Sequence, residues 1–131
     1  MVTRCAGREE HREECAVLAR AEQPEWEAEG DTEAYHCLLP LRLLLLHRSR
    51  PEQAALTDRL MDHEEERRGS EDWTTTERTV VRRLCQAEPG FTVEEVRRAL
   101  GVLEVNCYEV ANRGGAGVRA CYPVGSLLSH R

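Results

Sequence analysis

The stretch CAGREEHREEC holds the residues with the plainest coordination chemistry. Cys5, His11 and Cys15 stand there at C-x5-H-x3-C. Thiolate and imidazole are common zinc donors. A His and a Cys four positions apart share one face of a helix, where both can reach one ion. A closed structural zinc site needs four donors, and this stretch offers three. No Cys-x2-Cys pair precedes it, and the next cysteine, Cys37, lies in an apolar segment. Spacing alone leaves two readings open, a zinc site or a chance pattern in a charged helix. His63, in DHEEERR, also has acidic neighbours, but it reads as part of a solvated charged turn rather than a metal site.

The elements that must position these residues are bounded by composition. The chain has 131 residues, enough for one domain that hides about two-thirds of its unfolded surface. Hydrophobic residues make up 40% and charged residues 32%, which suits a charged helical globule better than a disordered tail. Aromatics are 5%, so aliphatic side chains must supply most of the core. The net charge of −6 argues against a general nucleic-acid or anionic-membrane binder, because both need a basic surface. All 18 basic residues are arginine. The six cysteines follow no apolar leader, so a reducing compartment is expected, cytoplasm or nucleus, with thiols or metal ligands rather than disulfides. The most apolar run, CLLPLRLLLLH, is too short for a bilayer and contains Pro40 and Arg42.

The chain then divides into helices. REEHREECAVLARAE is acidic early and basic late, which suits the helix dipole. Pro24 and Gly30 break it, and Asp31 or Thr32 can cap the next helix, EAYHCLLPLRLLLLHR. Pro40 should kink or restart that helix. Leucine dominates from 41 to 46, so the helix is apolar all round and belongs at the centre of the core. RPEQAALTDRLMD begins with Pro51 at a first helical position, and Leu56, Leu60 and Met61 form its apolar stripe. Thr74 with Glu77, and Thr92 with Glu95, have the spacing of capping boxes. Val80, Val81 and Leu84 should face inward on one of these helices, and Val96, Leu100 and Leu103 on the other. Phe91 can staple onto Val96, and Gly101 marks close packing. VNCYEVANRGGAGVRACYPV places β-branched and aromatic residues on both sides of a glycine turn, which predicts a hairpin. The expected fold class is mainly α, a helical block leading into a short β unit.

Three pieces together resemble one family. CAGREEHREECAVL resembles the last ligands of a MYND zinc finger. YHCLLPLRLLLLHRSRPEQ and FTVEEVRRALGVLEVNCYEV resemble the helical insert of SET-domain proteins that carry such a finger. GVRACYPVGSLLSH resembles the start of their C-terminal SET half, where Tyr-Pro precedes a Ser-Leu-Leu-Asn/Ser-His-Ser-Cys run. Order and spacing agree along the chain, and the likeness is to arthropod-type SET/MYND proteins. The resemblance implies a MYND remnant over 1–22, a SET insert over 23–104 and a truncated C-terminal SET half over 105–131. It implies protein-lysine methylation, histone-type, with S-adenosylmethionine as methyl donor and zinc as structural metal. Asn106, Ser126, Leu128, Ser129 and His130 match the family's cofactor contacts, with Ser129 where many members have asparagine. Cys5, His11 and Cys15 match its zinc ligands, Cys5 in one site and the other two in a second.

The same resemblance sets limits on activity. The family's Gly-x-Gly cofactor loop, its Cys-x-Pro-Asn continuation and its late lysine-channel tyrosine have no counterpart among these residues, and Arg131 stands where serine is expected. The expected behaviour is therefore an inactive methyltransferase fragment of marginal stability. Coding sequence for the missing cysteines should then lie upstream, and for Cys-x-Pro-Asn downstream. The alternatives are a non-catalytic helical interaction module or pseudoenzyme, and an unrelated helical domain with a chance Cys/His pattern. The expected partner is a substrate or binding protein, with neither nucleic acid nor membrane.

Overall fold

The leucine-rich segment dictates the architecture. A helix this apolar must be covered over most of its surface, and in α2 (Thr32–Ser49) Leu41, Leu43 and Leu44 are buried while Arg42 stays exposed and Leu45 and Leu46 are half-buried. The computed structural model describes residues 9–21, 32–111 and 117–121. In it α1 (Glu9–Ala21), α3 (Pro51–Asp58) and α7 (Val93–Asn106) all pack against α2. A further helical run also reaches it, formed by α5 (Glu71–Thr76), a π-helical stretch (Glu77–Val81) and α6 (Arg82–Ala87). The short α4 (Glu64–Arg67) bridges α3 and α5. Leu41, Leu43 and Leu44 are buried in one cluster with Val17, Val80, Val81, Leu84, Val96, Leu100 and Leu103. The chain is mainly helical, as expected, and no described helix is long and apolar enough to cross a membrane.

Pro40 neither ends nor restarts α2, which runs unbroken through it. An interior proline costs about 3 kcal/mol through a lost backbone bond and a clash. Buried Cys37 and Leu41 on either side hold the helix together against that cost.

Local start signals held where the tertiary structure agreed with them. α3 opens on Pro51. α7 opens on the full Thr92/Glu95 capping box: Glu95 N–H donates to Thr92 Oγ1 at 3.2 Å, and Thr92 N–H to Glu95 Oε2 at 2.9 Å. Phe91 and Val96, the expected staple, are both buried in the core cluster. The Thr74/Glu77 box does not form. Ser70 caps α5 instead, its Oγ accepting the Trp73 N–H at 3.1 Å, so the helix begins earlier and Thr74 lies inside it. Glu77 is drawn off to the Arg97 guanidinium, at 2.5 and 3.0 Å.

The stripe expected on α3 also differs. The helix stops at Asp58, so Leu56, Leu60 and Met61 cannot share one helical face. Ala54 and Thr57 face inward, Leu60 is buried after the turn, and Leu56 and Met61 are 44% and 53% exposed. The segment after it is more than a solvated turn. Arg98 of α7 donates to the backbone carbonyls of Asp58 and Leu60 at 3.2 and 2.8 Å, and pairs with Asp62 at 2.8 Å. Arg67 of α4 pairs with Glu104 of α7. Gly101 permits this approach. A Cβ there would stand 2.6 Å from Asp62 Cβ and 3.0 Å from its carbonyl oxygen.

After α7 the pattern changes to strand. β1 (Cys107–Ala111) and β2 (Gly117–Cys121) pair antiparallel, with Cys107 opposite Cys121 and Ala111 opposite Gly117, which is the expected hairpin.

Two measurements check this account. Gly101→Ala gains about 1 kcal/mol of helix propensity but forces α7 off the Asp62 backbone, an overpacking that costs about 1–3 kcal/mol. The thermal midpoint should fall, and a rise would contradict the close approach. The second concerns acid. Burial raises the Asp62 pKa, but the Arg98 hydrogen bond and charge and the Glu64 N–H outweigh it, leaving the pKa below its ordinary 3.8. A lowered carboxylate pKa means the unfolded chain binds the proton more tightly. The stabilisation is present above 3.8 and is lost as pH falls through the lower folded value. Denaturation midpoints against pH should drop in that acid window, and less steeply in Arg98→Met.

Candidate functional site

The zinc candidates are placed in part. α1 carries His11 and Cys15 one turn apart, so its backbone sets both on the same helix face. Cys15 is half-buried, beside Glu14. Cys5 lies outside the described residues. Cys37 is buried at 1% in the aliphatic cluster and joins the core. Among the described residues no group of three or more His, Cys, Asp or Glu side chains is gathered for a metal ion.

Of the five candidate cofactor contacts, Asn106 is described, while Ser126, Leu128, Ser129 and His130 lie outside the described residues. Asn106 is the last residue of α7, directly before β1, and is 1% exposed. Its amide nitrogen donates twice, to Met61 O at 2.9 Å and to Val102 O at 2.8 Å. One bond satisfies a carbonyl of its own helix end, and the other ties that end to the turn after α3. Buried carbonyls need donors, and asparagine supplies two from one nitrogen. Both amide N–H groups are thus spent within the protein. In this fold the residue acts as a clamp where helix gives way to strand.

A cleft of about 280 Å³ opens between α2, α3 and α7, and sequence reading did not single it out. His47, Thr57 and Asp58 line it. A hydroxyl, an imidazole and a carboxylate side by side invite comparison with a nucleophilic triad, but the geometry argues otherwise. Thr57 Oγ1 donates to Ala54 O at 2.6 Å, so towards His47 Nε2, 3.3 Å away, it accepts. Asp58 Oδ1 lies 3.7 Å from the same nitrogen. A relay needs the carboxylate on the opposite ring nitrogen, leaving Nε2 to take the hydroxyl proton. Thr57 is held, not activated. No motif could have revealed this cleft, because residues 43–58 of α2 and α3 meet residues 91–102 only in the fold.

Cys85 offers no better nucleophile. Burial, then the charges of Glu77, Glu94 and Glu95, push its thiol pKa up, and the thiol is the unreactive form.

The Asn106 clamp makes a measurable prediction. Asn106→Ala leaves the Met61 and Val102 carbonyls without these donors, at a cost of about 1–3 kcal/mol. The loss should appear in urea unfolding, and a neutral result would contradict the clamp. Comparison with protein-family models, curated proteins and solved structures returns no match for this chain.

Proposed function

We propose that the chain is the helical insert and donor-side beginning of a SET/MYND-type protein-lysine methyltransferase, and that its helical block works as a scaffold rather than a catalyst. The observation that carries the reading is the junction at residues 106 and 107. Helices, asparagine and hairpin follow one another there in the order the resemblance requires, and Asn106 fixes the last helix to the turn after α3. The scaffold role is supported by how the described polar groups are used. The Asn106 amide, the Thr57 hydroxyl and the Arg98 guanidinium all hold backbone carbonyls.

In this reading S-adenosylmethionine, when bound, supplies an electrophilic methyl group. Ser126, Leu128, Ser129 and His130 belong to its pocket by resemblance, and Asn106 positions the strand that leads there. Cys5, His11 and Cys15 are the zinc donors by the same resemblance. The macromolecular partner is a protein in the cytoplasm or nucleus.

Labelled-methyl transfer and calorimetry test the proposal. The chain contains no lysine, so lysine labelling on histone or bulk protein reports substrate rather than self-modification. The isolated chain should show no transfer above a His130→Ala control and no saturable S-adenosylmethionine heat. Turnover above that control would overturn the scaffold assignment. Hydrogen exchange tests the clamp's part in it: Asn106→Ala should speed exchange across β1 and β2 more than across α2.

A further inference from the structure

We propose that the cleft between α2, α3 and α7 binds a small aliphatic monocarboxylate. The proposal is independent of the methyltransferase reading and rests on an apolar floor joined to an unspent cation. Leu43, Leu44, Ala99 and Val102 line the cleft and are each 8% exposed or less. The volume, about 280 Å³, is near the lower end for small-molecule pockets.

Arg48 and Phe91 also line it. The Arg48 guanidinium carbon lies 4.2 Å from the Phe91 ring centroid, in cation–π contact. Other arginines around the cleft and core are paired with carboxylates: Arg42 with Glu14, Arg97 with Glu77, and Arg98 with Asp62. Arg48 has no carboxylate partner among the described residues, and its side chain is exposed. A Cβ on Gly90 would come within 2.5 Å of Arg48 Nη2, yet Gly90 does not have a positive φ that would demand glycine. The guanidinium lies beside Gly90 and over Phe91, and the Glu88 carboxylate next to the same glycine is paired with Arg20.

The ligand chemistry follows. An aliphatic chain suits the floor, and one carboxylate suits the planar Arg48 fork. Asp58 and Glu95 also line the cleft. Glu95 is engaged in the capping box and Asp58 faces His47. These two acids disfavour a second carboxylate on the ligand.

Octanoate titrated into the full chain by calorimetry tests the proposal, with octanamide, octylamine and an acetylated leucine-ending peptide as comparisons. Octanoate should saturate one site, and the others should bind at least about tenfold more weakly. Arg48→Met, which keeps an apolar stem, should weaken octanoate by about tenfold or more with its circular dichroism spectrum unchanged. Gly90→Ala, which lifts the guanidinium, should weaken octanoate by less than Arg48→Met does. Absence of a saturable octanoate site would overturn the proposal. So would equal binding by Arg48→Met, octanamide or octylamine, or tighter binding of the peptide.

Discussion

Burial of the leucine-rich face of α2, with Cys37, Leu41, Leu43 and Leu44 inside, is the constraint on which the structure depends. α1, α3, α7 and the π-helical stretch supply that cover, and the side that carries Arg42 is left to the solvent. The one charge inside the run, Arg42, stands on that open side. Its guanidinium reaches α1 and meets Glu14 with two bonds of 3.0 Å. Glu14 is only 8% exposed, and a carboxylate so placed needs a counter-charge, because leaving it alone costs far more than the pair gains. That bond sets how α1 lies on α2, and the proline in α2 is tolerated because packing on both sides exceeds its local cost.

Arginine does the remaining work of joining helices. Arg98 and Arg67 fasten the segment after α3 to α7, and Arg97 fastens α7 to the π-helical stretch. Trp73 lies near three guanidinium carbons, those of Arg67, Arg68 and Arg97, at 5.5, 5.7 and 5.6 Å from its ring centroid. A planar guanidinium can stack on an aromatic face and hold a carboxylate at once, which an ammonium does less well. This gives the exclusive use of arginine a structural role in a chain with few aromatics.

The candidate site was legible only in part. Cys15 stands out in the sequence by its thiol and its spacing from His11, whereas Asn106 stands out only through the family resemblance. The carbonyls that Asn106 serves could not be foreseen, since Met61 lies 45 positions away and its exposed side chain reads as an ordinary apolar residue. The Arg48 cleft was hidden for the same reason. Nothing around RSRPEQ signals that Arg48 will lie on Phe91, because glycine at 90 reads as a helix terminator until the guanidinium is seen across it.

The sequence by itself determined the helical class, the central place of α2, the Thr92/Glu95 start of α7 and the hairpin after it. Each follows from periodicity, capping chemistry or turn composition within a short window. The tertiary structure decided where competing local signals were resolved. Ser70 displaced Thr74 as a cap once Glu77 could bond Arg97, and α3 ended early once Arg98 could hold the Asp58 and Leu60 carbonyls. It also decided that Asn106 is a clamp, because a buried amide goes to whichever unsatisfied carbonyls the fold brings beside it.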